Sequence, residues 1–279
     1  YWMQLAQVPA LEIMSHRLVW CFVFVWGWLL LREGKGWWKA PLQDSRNRRM
    51  LLGSGLLIGA NWWIFIWAVT NGHIVEASLG YFINPLVNIA MGTVLLREKL
   101  NRAQWLAIAI AAVGVLWLAT EFGRPPWIAL CLAFSFGSYG LLRKLTPVGA
   151  VSGLGLETAL LTPLALGLLL WLGWTGQGHF GRVSFSQDCL LALGGAVTAI
   201  PLVLFAYGAR RIPYSTVGIV QYLGPSLQLL IGVAVYGEAF PQSRLLGFAL
   251  IWTALAIYAS DGLWRYRQQR RALRVNPAG

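Results

Sequence analysis

The side chains of this sequence that can do chemistry stand among apolar neighbours. His16 and Arg17 sit side by side, Asn61 precedes Trp62, and Tyr81, Asn84, Pro85 and Asn88 share one stretch. Later stretches hold Tyr139, Glu157, Tyr207, Gln221, Tyr222, Pro225 and Gln228. Ionisable and amide groups in an apolar run are costly unless they are paired or face a cavity, where they bind solutes or move protons. Glu157 is the one acid well inside an apolar run of the second half. It reads either as a proton carrier or as an arginine-paired structural acid. Arg17 can hold an anionic solute group, pair with an acid such as Glu157, or anchor its helix at the interface. Each of Pro85 and Pro225 withdraws an N–H and leaves the carbonyl four residues earlier unpaired, at Tyr81 and Gln221. A kink with a polar patch is expected at both, suited to solute contact or gating; bending for packing alone is the plainer reading. Asn88 and Gln228 each follow their proline by one turn. Trp62, Trp63, Trp67 and the tyrosines 81, 139, 207 and 222 can line a cavity for a flat or amphipathic solute. His73 and Glu76 read as features of a helix N-terminus, and Glu98 and Glu238 as partners of loop donors.

These residues must be positioned by membrane helices. The chain of 279 residues is 57% hydrophobic and only 11% charged, with a mean hydropathy of +0.60. A soluble domain carries roughly 25% charged residues. Apolar windows of spanning length predict nine spans: 14–31, 51–70, 75–96, 103–120, 126–145, 153–174, 189–208, 214–236 and 245–264. With no water in hydrocarbon, each must close its own backbone bonds as a helix. Gly55 and Gly59 form a small-residue face expected at a helix contact.

Charge then sets direction. Lys and Arg number 22 and the formal net charge is +12. They cluster in alternate segments: 32–50, then Arg97, Lys99 and Arg102, then Arg143 and Lys144, then Arg210 and Arg211, then the tail from Arg265 to Arg274. The opposite segments carry only Arg124, Arg182 and Arg244. That alternation places the basic segments and the C-terminus in the cytoplasm and argues against a nucleic-acid partner, which needs one basic face. The tail is expected to lie on anionic lipid. Cys21, Cys131 and Cys189 lack metal-ligand spacing, no phosphate-binding glycine–lysine loop is present, and no cofactor or metal is expected.

A faint repeat underlies the chain. LGYFINPLVNIAMGTVLLRE (79–98) aligns with IVQYLGPSLQLLIGVAVYGE (219–238), setting Pro85 on Pro225, Gly92 on Gly232 and Glu98 on Glu238, 140 residues apart. The same offset sets Phe65 on Phe205 and Ala109 on Ala249. It divides the chain into repeats at 1–122 and 123–264 with a basic tail at 265–279, and an odd number of helices per repeat inverts one against the other. Span 126–145 has no counterpart in the first repeat, so a preceding first helix is expected, with Tyr1 and Trp2 near its external end.

EIMSHRLVW (12–20), IGANWWIFIWAVTNGHIVEASLGYFINPLVN (58–88), LAFSFGSYGLLRK (132–144), QYLGP (221–225) and YGE (236–238) resemble the RarD-type branch of the EamA family, in the drug/metabolite transporter superfamily. The resemblance implies an all-α inner-membrane bundle of ten helices in two inverted five-helix repeats, nine of them full spans here. It also implies carriage of a small metabolite or drug. The residues are read accordingly as those of a secondary transporter working by alternating access, exporting its solute, with proton antiport as the preferred coupling. A facilitated exchanger and a passive channel are the alternatives. A membrane enzyme is disfavoured because His16, His73 and His179 are scattered; a non-transporting partner protein would carry a soluble domain. Small solute, lipids and protons are the expected partners, and a homodimer is compatible with this reading.

Overall fold

The structure, a computed structural model, describes residues 2–5, 7–120, 125–236 and 242–275; within these, the side chains of 2, 3, 228, 232, 236, 242–244, 266 and 269–275 lie outside the description. Glu238, Tyr1 and the side chains of Trp2 and Gln228 therefore lie outside the described residues.

After a short 3-10 turn at Trp2–Leu5 come α1 (Ala10–Arg32), the short α2 (Lys39–Gln43), α3 (Ser45–Thr70), α4 (Ile74–Val94), α5 (Arg102–Thr120) and α6 (Trp127–Leu145). Then follow α7 (Ala150–Trp174), α8 (Phe185–Ala209), α9 (Tyr214–Gln221), α10 (Leu223–Tyr236) and α11 (Gln242–Val275). Among the described residues nine spans are long and apolar enough to cross a membrane, α9 and α10 together forming one. These are the nine predicted windows. Helix starts at 10, 45, 74 and 102 recur at 150, 185, 214 and 242, each 140 residues on.

Local chemistry sets the ends. Asp44 caps α3 by accepting from the Arg46 N–H at 2.9 Å, and Ser184 caps α8 by accepting from Gln187 at 3.2 Å. Pro9 and Pro213 precede α1 and α9, where a preset φ helps and a missing N–H costs nothing. At the end of α4, Arg97 holds a left-handed φ of 54°, and the Glu98 N–H reaches back to the Gly92 carbonyl at 3.0 Å. That turn aims the Glu98 carboxylate at the start of α9. It accepts from the Tyr214 N–H (2.6 Å), the Ser215 N–H (2.9 Å) and the Ser215 hydroxyl (2.7 Å). Glu76 similarly accepts from the Ile128 N–H at 2.9 Å, near the start of α6.

The chain forms two compact units, one of residues 1–74 and 138–212, the other of 75–137 and 213–279. Each takes helices from both halves of the sequence, and α6 contributes to both. In the first unit α1 packs on α7 and α8, around Cys21, Val25, Leu29, Leu154 and Ala199, and the Trp26 indole donates to the Gly155 carbonyl at 2.7 Å. In the second, α5 packs along α11 around Ala107, Ala111, Val115, Ile251 and Ala254. Lipid tails are as apolar as leucine, so these contacts depend on close approach at small residues. Gly55 and Gly59 of α3 both face α7, and Gly114 of α5 meets Gly247 of α11.

Among the described glycines the tightest approach to another helix's backbone is Gly195 of α8, where a Cβ would overlap the α1 backbone at Trp20 and Cys21, whereas one at Gly208 would meet nothing within 4 Å. Backbone cannot rotate away as a side chain can. Gly195→Ala should therefore cost about 1–3 kcal/mol and lower the unfolding temperature in detergent. Gly208→Ala should leave it unchanged or raise it slightly, as alanine is the better helix former.

Candidate functional site

The candidate residues collect into three groups. The first surrounds Glu157, whose side chain is only 1% exposed. It is about five turns short of the end of α7, and roughly 10 Å along the helix from its start. Ser54 of α3 donates its hydroxyl to Oε1 at 2.5 Å, and Tyr139 of α6 donates to Oε2 at 3.3 Å. The Arg143 Nε lies 3.5 Å from Oε1. Arg143 is fully buried and donates Nη2 to the Gly149 and Ala150 carbonyls, 3.1 Å each. Its guanidinium lies over Gly153, where any Cβ would strike it. The spacing is thus one of buried acid, two hydroxyls and a buried cation, contributed by three helices of one unit. Arg143 was counted in sequence as a loop charge; it is instead the counter-ion of Glu157.

The second group lies on the N-terminal part of α1. The Arg17 Nε donates to the Thr198 hydroxyl of α8 at 2.9 Å and its Nη1 to the Met14 sulfur at 2.9 Å. The first contact ties Arg17 to α8, while Arg143 is the cation 3.5 Å from Glu157 in the first group. His16 is buried against Phe180, with ring centroids 4.8 Å apart. Beside it is Glu12, 1% exposed and bonded to His179. The other face of α1 borders a cavity of about 660 Å³ between α1, α3 and α7, lined by Met14, Ser15, Trp62, Trp63, Leu161 and Leu164 among others. Its walls are apolar apart from Ser15. Asn61 lies partly buried on α3.

The third group belongs to the other unit. Gln221 Oε1 accepts from Asn84 Nδ2 at 3.2 Å and from Asn88 Nδ2. Gly218 allows this meeting, since a Cβ there would strike the Pro85 carbonyl and Asn88. Among the described residues, the buried Oδ1 atoms of Asn84 and Asn88 and the Tyr222 hydroxyl have no hydrogen-bond partner. The two prolines differ: Pro85 sits inside continuous α4, whereas the second-half span breaks at Tyr222 and Pro225 falls in the first turn of α10. An N-terminal proline withdraws an N–H that would be unpaired anyway, so Pro225 begins a helix where Pro85 interrupts one.

Two tyrosines stand apart. Tyr207 is 52% exposed and the Arg211 guanidinium carbon sits 3.2 Å from its ring centroid, so it belongs to the end of α8 and to none of the three groups. Tyr81 is 49% exposed. Reading the sequence missed Glu12, Ser54, Arg143, His179 and Thr198. Glu12 and His16 stand at i,i+4, a spacing that signals a helix pair. The partners of Ser54, His179 and Thr198 lie more than a hundred residues away and leave no local signal.

Breaking the buried pair from one side leaves the other charge without a partner. Arg143→Met should destabilise the protein by about 3–5 kcal/mol. The double variant Arg143→Met/Glu157→Gln should recover much of that loss, read as a positive coupling in a thermal-unfolding double-mutant cycle.

Residues 2–120 match the EamA-like transporter family. Protein RarD of Streptomyces exfoliatus is 46% identical over 273 residues, covering 98% of this chain and 87% of that protein. Protein RarD of Escherichia coli strain K12 is 43% identical over 268 residues, covering 96% and 90%. A protein of Pseudomonas aeruginosa named chloramphenicol-sensitive protein RarD is 32% identical over 276 residues, covering 96% and 90%. A crystal structure at 19% identity superposes with a TM-score of 0.66 over 91% of this chain and 88% of that one, a likeness of fold. On this evidence the chain belongs to the EamA-like transporter family, as a RarD-type secondary transporter of the drug/metabolite transporter superfamily, a multi-pass protein of the bacterial inner membrane and not an enzyme.

Proposed function

We propose that this transporter exports a small metabolite or drug in exchange for protons, and that Glu157 carries the proton. The observation that carries this reading is the set of partners around Glu157. A carboxylate so deep in a membrane span is costly as an anion, and here Arg143 at 3.5 Å offsets that cost without a hydrogen bond. When Glu157 takes a proton, Arg143 keeps its bonds to the Gly149 and Ala150 carbonyls, and Ser54 and Tyr139 stay in reach. The carboxyl then has hydrogen-bond partners in both protonation states, and what changes between them is whether Arg143 has its counter-ion.

The solute contacts in this reading are the amides of Asn84, Asn88 and Gln221, the Oδ1 atoms of Asn84 and Asn88 offering acceptors to a hydroxyl or amine. The 140-residue recurrence of helix starts supports two repeats, 1–122 and 123–264. Successive crossings by five spans separate equivalent helices and invert them, the arrangement that suits alternating access. The basic segments support a cytoplasmic C-terminus. The name of the Pseudomonas relative makes chloramphenicol the first solute to try.

The test uses purified protein in liposomes. Solutes that raise the unfolding temperature, chloramphenicol first, are carried into counterflow assays at equal pH on both sides. Glu157→Gln should keep counterflow and lose pH-gradient-driven accumulation by at least about tenfold. Undiminished gradient-driven accumulation in Glu157→Gln would remove Glu157 from the mechanism, and accumulation indifferent to the gradient in the unmutated protein would make it a facilitated exchanger.

A further inference from the structure

A second ionisable cluster lies at the N-terminal end of α1, apart from the partners of Glu157. The Glu12 carboxylate, 1% exposed, accepts from the His179 backbone N–H at 2.7 Å and lies 2.8 Å from the His179 Nδ1. His179 sits in the connection between α7 and α8, and its side chain is 31% exposed. One turn further along α1, the His16 Nε2 lies 3.9 Å from Glu12 Oε1. That nitrogen is buried and has no hydrogen-bond partner among the described residues. The three groups thus form a ladder from water inward: an accessible imidazole, a buried carboxylate, and a buried imidazole with a nitrogen to spare.

Other charged groups near the cluster have bonds of their own, and Asp188 also acts on His16 through its charge. Arg17 of α1 bonds Thr198 and Met14. Asp188 of α8 accepts from the Gly181 N–H at 2.9 Å. Arg182 of the connection bonds the Gly176 and Gly173 carbonyls at 2.5 and 3.2 Å. A strut holding the connection to α1 would need only the His179 N–H and a carboxylate. It would not need a second, unbonded histidine nitrogen facing the same oxygen pair.

We propose that Glu12, His16 and His179 form a second proton-binding site of this transporter, which exchanges protons with water at the α7–α8 connection. The proposal rests on the proton-coupled reading for its role in transport. In the inward step the His179 imidazolium gives its Nδ1 proton to Glu12 Oε2, leaving a neutral imidazole and a carboxylic acid. The carboxyl then turns its protonated oxygen toward the His16 Nε2 and passes that proton on, restoring the carboxylate and forming an imidazolium; this needs Oε1 to leave the His179 N–H and the 3.9 Å gap to close to hydrogen-bonding distance. The His179 N–H holds Glu12 in place before the relay and again once the carboxylate is restored.

Proton binding can be read without a solute. Acid-minus-alkaline infrared difference spectra of the whole chain in liposomes should contain a carboxyl C=O band that Glu12→Gln removes and Glu157→Gln leaves. His179→Gln, a change in a partly exposed connection, should displace the midpoint of that band by about one pH unit or more. An unchanged band in Glu12→Gln, or an unmoved midpoint in His179→Gln, overturns the site. The role is read separately: Glu12→Gln should lose at least about tenfold of pH-gradient-driven accumulation while keeping counterflow. If the unmutated protein accumulates solute without a gradient, the coupling reading falls while the infrared band decides the site. If accumulation is gradient-driven and Glu12→Gln matches the unmutated protein, the role of this site in coupling is overturned.

Discussion

A carboxylate carried into hydrocarbon must find its donors within the protein, and the helices around Glu157 are arranged by that need. Ser54, Tyr139 and Arg143 reach it from α3 and α6. Arg143 in turn must be housed. Its head lies over Gly153, one turn before Glu157 on the same helix, and its remaining bonds go to carbonyls at the start of α7. Glycine at 153, the loop conformation at 149–150 and the small Ser54 are therefore consequences of a single buried charge. Removing any one leaves a polar group in a medium that cannot solvate it.

The same rule governs the helix contacts. Where side chains carry no ionic burden, association in lipid depends on backbones coming close, and glycines mark those places: Gly195 against Trp20, Gly114 against Gly247, Gly218 against Pro85. Close backbone approach and partnered polar groups support each other. At Gly218 the absence of a Cβ is also what lets Gln221 reach Asn84 and Asn88. Helix ends follow suit, with Glu98 and Glu76 each satisfying backbone N–H groups near the start of another helix.

Membrane-spanning structure is unusually legible in a sequence because one constraint, length of apolar run, decides it. All nine windows emerge as spans, and the 140-residue offset found in faint identities reappears in the starts of four helix pairs. The side chains behave differently. Glu157 and His16 declare themselves by being polar in apolar company. Arg143 does not, because two residues from a helix end it looks like any other interfacial cation. Tyr207 misleads for the opposite reason: an aromatic in an apolar run, it ends up stacked beneath Arg211 at the end of its helix.

The amino-acid sequence by itself thus determined the class of molecule, the number and approximate position of its spans and the periodic relation between its halves. Each of these depends on local hydrophobicity or on spacing along one chain. Which donor meets which acid was decided only by tertiary structure. The partners of Glu157 on α3, of Arg17 on α8 and of Glu12 in the α7–α8 connection lie 103, 181 and 167 residues away. Such contacts exist only once helices distant in the chain have packed. No local pattern can encode them, because the cost they relieve arises only after water has been excluded from both partners.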